Sequence, residues 1–328
     1  MKKKISICIP CYNEGENVLS IHRLITAEFE KIPGYNYEII FEDNCSLDNT
    51  PDYLRQLAEK DKHVKVIFNS KNFGAMKNSG YIMFQATGDA IIGMPCDLQT
   101  PVDLIPRYIE LWEQGNQVVL GQIVESNESK IMFGIRGLYY KIIDMCSENK
   151  ELRHVTGCGL FDKDAIKLIE SLNEPEPNFR YLVTELGLKV ALIPYVQQKR
   201  AKGKSSYNFV KYFNQALQTL ISTSKTPLRF ATTAGMILSG VSFTIGLIYL
   251  VYKLIFWDSF DAGMAPILIG IFFWGAFQLF FIGILGQYIG EILTRVTKRP
   301  IVVERERLNF DIEENDGELP PDTDNDVI

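Results

Sequence analysis

The stretch "GDAIIGMPCDLQTP", residues 88–101, decides the fold because it joins a buried strand to a polar loop and a helix start. The β-branched run at 90–94 predicts a strand. Thr100 followed by Pro101 predicts a helix with Thr as its N-cap and Pro in its first turn. The loop between them has one carboxylate, Asp97. Asp97 therefore either belongs to a ligand site or caps the following helix.

The same pattern recurs on both sides of this stretch. Strands are predicted at 5–9, 37–42, 64–69, 90–94 and 117–121, with helices between them. Such alternation predicts a mostly parallel sheet with helices on both faces, whose ligands bind beyond the carboxyl ends of the strands. The loops at four of these ends are "PCYNEGEN" (10–17), "EDNCSLDNT" (42–50), "NSKNFGAM" (69–76) and "MPCDLQTP" (94–101). Their side chains suit a nucleoside and its phosphates.

Two uncharged stretches in the last third of the chain predict membrane-spanning helices. Residues 230–252 and 262–290 contain no charged side chain, and about 20 apolar helical residues cross a bilayer core. A pair of buried core helices is the alternative. Basic residues flank both stretches and the loop between them is not basic, which predicts a multi-pass protein of the inner or plasma membrane with both termini cytoplasmic.

The segment before the first stretch is basic and amphipathic. Residues 199–229 contain seven basic and no acidic side chains. Phe209, Phe213 and Leu217 recur every four residues, which predicts a helix in the membrane interface; packing on the soluble domain is the alternative. The basic residues suit anionic headgroups or a phosphate ligand. Residues 311–328, with eight acidic and no basic side chains, predict a disordered tail.

Four regions follow from these patterns. They are a soluble domain at 1–200, a basic amphipathic segment at 201–229, two transmembrane helices within 230–292 (about 230–252 and 265–290), and a partly disordered acidic tail at 293–328.

The cysteines are interpreted as free thiols of a cytoplasmic domain. Cys8 and Cys11 form a CxxC pair, which with Cys45 and Cys96 could indicate a redox or metal site. A structural role is favoured, because Cys8 alternates within a strand and Cys11 begins a loop without a thioredoxin-like context.

Five segments carry a family resemblance. "ISICIPCYNEGENV", "EIIFEDNCSLDNT", "NSKNFGA", "GDAIIGMPCDLQTPVDLI" and "KGKSSYNF" resemble, in order and spacing, family 2 glycosyltransferases of the GT-A fold. The branch they resemble loads a sugar onto a polyprenyl phosphate, as dolichyl-phosphate mannose synthases and bacterial undecaprenyl-phosphate glucosyltransferases do. The resemblance covers roughly residues 4–300. It implies a Rossmann-like α/β catalytic domain followed by an interfacial amphipathic helix and two transmembrane helices.

The resemblance also implies site residues. The residues implied to bind the nucleotide are Pro10, Tyr12, Glu14, Asp43, Ser46, Asn72 and Gly74. Asp97 and Gln99 are implied to be catalytic, with Asp97 as the ligand of a divalent cation, Mg or Mn. The residues implied to bind the lipid phosphate are Arg136, Arg200, Lys202, Lys204 and Ser205.

Several positions depart from the family pattern. Pro95 stands where the family has an Asp, Gly157 where it has the Asp often proposed as catalytic, and Gly159 where it has an Arg. Lys71 replaces a further Arg. These changes indicate either a coherent subfamily or an enzyme that has lost activity.

The expected function is an inverting, metal-assisted transfer of a hexose from a nucleotide sugar, UDP-linked, to undecaprenyl phosphate, which supplies cell-envelope glycan modification. The alternatives are a catalytically inactive membrane scaffold that binds lipid phosphate and nucleotide, and a transferase acting on a sugar acceptor. Expected partners are the nucleotide sugar, the polyprenyl phosphate, the membrane and further copies of the chain, a tetramer by resemblance; no nucleic acid is expected.

Overall fold

The computed structural model describes residues 2–125, 152, 155–198, 226–255, 264–297 and 299–310. The strands in these ranges are β1 Lys4–Cys11, β2 Asn36–Asp43, β3 Val64–Asn69, β4 Ala90–Gly93, β5 Val118–Glu125, β6 Val155–Asp162, β7 Val190–Val196 and β8 Glu304–Leu308. The helices are α1 Gly15–Lys31, α2 Thr50–Lys60, α3 Ala75–Phe84, α4 Ile105–Glu113, α5 Lys163–Ser171, α6 Phe179–Glu185, α7 Thr226–Ile255 and α8 Met264–Val296, with a 3-10 turn at Val102–Leu104.

All eight strands form one mixed sheet in the order β7-β5-β6-β4-β1-β2-β3-β8. Strand β1 is parallel to β2 and β4, β2 is parallel to β3, and β5 is parallel to β7. Strand β6 is antiparallel to β4 and β5, and β8 is antiparallel to β3. The mostly parallel α/β sheet predicted from the sequence is confirmed, and β6, β7 and β8 are additions to it.

Both faces of the sheet are covered, and the strands β1, β2 and β3 are accordingly buried along most of their length. On one face Ile5, Ile7 and Ile9 of β1 pack in the core with the apolar stripes of α1, α2 and α4. On the other face the Cys8 thiol contacts the carbonyl oxygen of Ile82 in α3 at 3.5 Å. Full burial of each aliphatic side chain contributes about 1.5–3 kcal/mol. This two-sided packing fixes the strand ends from which the polar loops leave.

The last strand of the sheet comes from the far end of the chain. Strand β8 follows α8 in sequence and pairs with β3, from Val66 opposite Leu308 to Asn69 opposite Glu304. Residues 293–328 were expected to form an acidic tail, and the strand at Glu304–Leu308 was not predicted from the sequence. The acidic residues at 311–328 lie outside the described residues.

Helices α7 and α8 form a separate unit from the sheet. Their segments Thr226–Ile245 and Phe273–Val296 are long and apolar enough to cross a membrane. Helix α7 spans Thr226–Ile255 and so includes the last four residues of the region expected to be juxtamembrane, 201–229. The rest of that region, 201–225, lies outside the described residues.

Candidate functional site

Asp43 joins the loops that leave β1 and β2. It is the last residue of β2 and is completely buried, and its two carboxylate oxygens each accept the Ser46 backbone N–H at 3.2 Å. The Ser46 hydroxyl oxygen in turn accepts the backbone N–H of Asn13 at 2.9 Å, and the Asn13 side chain accepts the N–H of Leu47 at 2.8 Å. The carboxylate is therefore held rigidly at the carboxyl end of the sheet.

The pKa of the Asp43 carboxyl group is raised overall, because burial outweighs the opposing influences. Burial raises the pKa of its carboxyl group, while the Ser46 hydrogen bonds and the charge of Arg305 act in the opposite direction.

The start of α1 is tied to the start of α2. The backbone N–H of Glu14 donates to the Thr50 hydroxyl oxygen at 2.9 Å, and that of Gly15 donates to the Asp48 carboxylate at 3.2 Å. Asn17 donates from its side-chain amide to the Glu14 carboxylate at 2.6 Å. A cleft of about 280 Å³ opens beside these groups, lined by Asn13, Glu14, Gly15, Glu16, Asn17, Asp48, Asn49 and Tyr53.

The loop after β3 is bonded to the loop after β2 through Asn44. The Asn44 side chain donates to the Asn72 side-chain oxygen at 3.2 Å and accepts the backbone N–H of Phe73 at 2.9 Å. The Asn72 oxygen also accepts the backbone N–H of Gly74 at 2.9 Å. Gly74 has a φ of 92°, which favours glycine, and it directly precedes α3. Three loops from consecutive strands thus form one bonded surface.

A buried amide network supports that surface. The Asn69 side chain donates to Glu42 at 2.8 Å, to Asn78 of α3 at 2.8 Å and to Asn44 at 3.4 Å. Burial raises the pKa of Glu42 well above its usual range, against the opposing effect of the Asn69 hydrogen bond. Burial therefore favours the protonated form of Glu42 in the floor beneath the loops.

The loop with Asp97 is tied to the residues after β7. The Asp97 carboxylate accepts the backbone N–H of Gln99 at 3.1 Å, across Leu98 with a φ of 60°. The Gln99 side-chain oxygen accepts the Gln197 amide at 3.3 Å, and the Gln99 carbonyl oxygen accepts the N–H of Gln198 at 3.1 Å. Asp97 thus closes its own short turn.

The helix start predicted at Thr100 and Pro101 is wrong by several residues. Pro101 is extended with a ψ of 131°, the chain forms a 3-10 turn from Val102, and α4 begins at Ile105. Thr100 is 3% exposed and makes no N-cap hydrogen bond to either element. The loop after β4 is consequently longer than expected, which leaves Asp97 well before the helix.

The cysteine pair does not have the environment of a reactive site. Cys8 and Cys11 are buried, and burial raises the pKa of both thiols well above the usual range, with the hydrogen bond to Cys96 adding to the effect at Cys11. Protonated, buried thiols are poor nucleophiles and metal ligands. Within the described ranges, His, Cys, Asp and Glu side chains form no group of three suited to a metal ion.

Comparison with known proteins identifies the family. A family model described as glycosyl transferase family 2 matches residues 6–169. The chain is 31% identical over 298 residues to a prophage bactoprenol glucosyl transferase homolog of Escherichia coli K12, covering 90% of this chain and 97% of that protein. The chain belongs to glycosyltransferase family 2. It is also 30% identical, over 90% of its length, to the bactoprenol glucosyl transferase of Shigella phage SfX and to the SfII prophage-derived enzyme of Shigella flexneri, covering 97% and 96% of those proteins.

The predicted site residues of this family 2 glycosyltransferase lie at the carboxyl edge of the parallel strands where they are described. Pro10 is in β1 opposite Glu42 of β2, and Tyr12 follows β1 half-buried. Hydrogen bonds link Glu14 to the β2 loop, Asp43 and Ser46 to each other, and Asn72 to Gly74. Asp97 and Gln99 are joined in the β4 loop. The predicted lipid-phosphate residues Arg136, Arg200, Lys202, Lys204 and Ser205 lie outside the described residues.

Some site residues of the transferase were not singled out from the sequence. Asn13, Asn44 and Asn69 hold the three loops together, and each stands in one of the polar loop segments. Their concentration at strand ends was the available signal. Gln197 had no such signal, because it reaches Gln99 from the segment after β7, about a hundred residues later.

Proposed function

We propose that this transferase moves a hexose from a UDP-linked sugar to undecaprenyl phosphate at the cytoplasmic leaflet, with inversion at the anomeric carbon. The observation that carries the proposal is the similarity, over 90% of the chain, to proteins named bactoprenol glucosyl transferases. Bactoprenol is undecaprenol. The product, a polyprenyl-phosphate sugar, would serve as donor for glycan modification in the cell envelope.

The donor fits the bonded loops after β1, β2 and β3. In this proposal Asp43 accepts a hydrogen bond from the base, with Ser46 fixing its orientation at 3.2 Å. Pro10, Tyr12 and Glu14 line the nucleoside side, and Asn72 with Gly74 lies beside the diphosphate. The rigid network holds these groups in place before the ligand arrives, which lowers the cost of binding.

Asp97 would hold a divalent cation together with the donor. Mg²⁺ is commonly bound by one or two carboxylates plus substrate phosphates and water. The Asp97 carboxylate has about four lone-pair sites, and the backbone N–H of Gln99 occupies one of them. The remaining sites fit such an ion, even though Pro95 supplies no second carboxylate. When bound, the cation stabilises the negative charge that develops on the leaving diphosphate.

The acceptor needs no general base. A phosphate monoester has a second pKa of about 6 and is already anionic near neutral pH. Its oxygen attacks the anomeric carbon while the bond from that carbon to the diphosphate oxygen breaks, and UDP leaves with the bonding electrons. Because no proton has to be removed, Gly157 in place of an Asp is compatible with turnover. Arg136, Arg200, Lys202, Lys204 and Ser205 remain the predicted residues that bind the lipid phosphate.

Membrane attachment through α7 and α8 is part of the proposal, as are the cytoplasmic position of both termini and assembly as a homo-tetramer. The two apolar helices support the membrane attachment. The rival function is a membrane scaffold that binds nucleotide and lipid phosphate without turnover, and the departures at Pro95 and Gly157 favour that rival.

A product assay on the detergent-purified full chain tests the proposal. Undecaprenyl phosphate, Mg²⁺ or Mn²⁺ and a panel of UDP- and GDP-sugars are supplied, and new glycolipid is detected by mass spectrometry. A sugar-phosphate-lipid from one donor is expected. Binding of UDP without product from any donor would reject the transfer and support the scaffold.

Asp97→Ala tests the proposed cation ligand in the same assay. We expect turnover to fall by about 100-fold or more, because several kcal/mol of charge stabilisation is lost. Asp103→Ala is the matched control, since Asp103 is exposed in the same connection between β4 and α4. Equal activity of the two variants would remove Asp97 from the mechanism.

A further inference from the structure

Strand β6 brings Gly157 to the edge of the sheet where the Asp97 loop leaves. Strand β6 is antiparallel to β4, and their pairing ends with Gly159 opposite Gly93, the final residue of β4. Residues 155–158 of β6 therefore extend past the end of β4, on the side of the 94–101 loop. Two family carboxylate positions, now Pro95 and Gly157, belong to this edge.

The backbone at both β6 glycines is specialised. Gly159 has a φ of 155°, and a Cβ there would approach the Val119 carbonyl oxygen to 2.1 Å, so a larger side chain is excluded. Gly157 has a φ of 81°, which strongly favours glycine. Strand β6 therefore has no side chain at position 157 or 159, where the family has an Asp and an Arg.

A side chain from α6 lies where residue 157 would project. A Cβ built on Gly157 lies 3.4 Å from Cγ and 3.8 Å from Cδ of Arg180, which is ordinary van der Waals contact. The Arg180 guanidinium donates from Nη1 to the carbonyl oxygen of Val155 at 3.2 Å, and the residue is half-buried. Its charged group is thus held at the β6 terminus, directly beside the position at which the family has an acid.

We propose that Arg180 binds the phosphate of the acceptor, so that a cation contributed by α6 takes the place of the family's acid. This inference rests on the proposed function. A nucleophile that is already an anion gains from a guanidinium, which pairs with phosphate oxygens in a fork of hydrogen bonds, and would be repelled by a carboxylate at 157. The diphosphate of the donor could pair with a guanidinium in the same way, so the KM for the lipid and the Kd of UDP are both measured to tell which phosphate Arg180 binds.

Arg180→Ala and Arg180→Lys test the assignment. We expect Arg180→Ala to raise the KM for undecaprenyl phosphate about tenfold, the loss of one charge-assisted contact, and Arg180→Lys to have a smaller effect. The Kd of UDP, measured by calorimetry, should not change. Arg23→Ala is the control, because Arg23 is an exposed arginine of α1.

A purely structural role for the bond to Val155 predicts a different result. It would lower the Tm of Arg180→Ala without changing the KM for either substrate, and that result would overturn the proposal. A weaker UDP Kd with an unchanged lipid KM would assign the phosphate to the donor and overturn the acceptor assignment. Should Arg180→Ala fail to fold, Arg180→Lys still gives the comparison, because it keeps the charge and loses the fork.

Gly157→Asp and Gly157→Asn form a matched pair for the same question. Both place a side chain of the same shape at a φ of 81°, so the backbone strain is shared. Only Asp adds a negative charge beside Arg180, and we expect Gly157→Asp to weaken lipid binding more than Gly157→Asn does. Higher activity of Gly157→Asp would show that a carboxylate is wanted there and would refute the proposal.

Equilibrium binding separates this inference from the proposed function. Wild type and Arg180→Ala are titrated with undecaprenyl phosphate in detergent micelles without any donor. Weaker binding by Arg180→Ala supports the anion site even if no sugar is transferred. Equal binding by both proteins, together with product formation by wild type, would overturn the role of Arg180 and leave the transferase intact.

Discussion

Glu42 shows how a single buried acid organises the loops that follow β2 and β3. It lies next to Asp43 at the end of β2, and its Oε1 accepts the Asn69 amide at 2.8 Å, while that amide also reaches Asn44 and Asn78. Burial is the largest influence on its pKa, which is raised well above the usual range. Burial therefore favours the neutral form of the carboxyl group in the folded protein, and its role is that of a hydrogen-bonding spacer.

Glu42→Gln should preserve this role, whereas Glu42→Ala should not. We expect Glu42→Ala to lower the free energy of unfolding by about 1–3 kcal/mol, because it removes a buried hydrogen-bond partner. Gln keeps the shape and the acceptor oxygen of a neutral acid. Thermal unfolding of the purified full chain measures both variants, and equal losses would contradict a neutral Glu42.

The pH dependence of the wild type and Glu42→Gln provides a second measurement. Because the folded-state pKa of Glu42 is raised, its contribution to stability is fully present below the unfolded pKa of about 4.5 and is lost as pH rises through the folded pKa. Gln does not titrate. The Tm of Glu42→Gln minus the Tm of the wild type should therefore increase as pH rises from about 5 to 8. A Tm difference that does not depend on pH would contradict the raised pKa.

At the scale of elements, β8 fastens two helices to the edge of the sheet. Arg307 donates to Tyr81 of α3, to Gln85 directly after α3 and to Glu304 within β8, and Tyr81 donates to Glu304 at 2.7 Å. On α2, Arg55 pairs with Glu306 at 2.6 Å. Asn309, directly after β8, donates to the carbonyl oxygens of Ala58 and Val64 at 2.7 and 2.8 Å. The strand is therefore a structural part of the α/β domain.

Arg307→Ala should weaken this attachment. We expect a loss of about 1–2 kcal/mol in the free energy of unfolding, a moderate value because the guanidinium is partly exposed and screened by solvent. The decrease in Tm of the purified chain measures it. Arg299→Ala, an exposed arginine just before β8, is the control, and an equal decrease in both variants would show that the β8 network contributes nothing specific.

The elements that could be predicted are those whose signal is local. Strands β1 to β5 show buried β-branched runs, and the loops that follow the first four contain most of the proposed donor site. The sequence of β8, "ERERL", has no apolar run, since an edge strand is protected by charge and is buried on neither face. Its partner β3 lies about 240 residues earlier, and no local pattern encodes such a pairing. The same holds for Arg180, whose place beside Gly157 depends on the path of α6 across β6.

At the scale of the whole molecule, charge predicts how the chain crosses a membrane. Arg295, Lys298 and Arg299 follow the second apolar stretch, whereas the connection at 256–263 has two acidic and no basic side chains. Basic flanks remain cytoplasmic, so we expect both termini inside and the connection outside. Reporter fusions at either terminus and within 256–263 measure this. An extracytoplasmic C-terminus would contradict the topology and would separate β8 from its partner.

The pairing of β8 with β3 also sets an order of events during synthesis. A growing chain completes β3 long before the ribosome has made β8, and at about 5–20 residues per second the interval is roughly 10–50 s. Both long apolar helices emerge within that interval. Throughout it, the outer edge of β3 has unpaired backbone groups that can template aggregation. The nascent α/β domain therefore depends on a strand that is translated after both apolar helices, and a chain truncated after α8 would leave the outer edge of β3 unpaired.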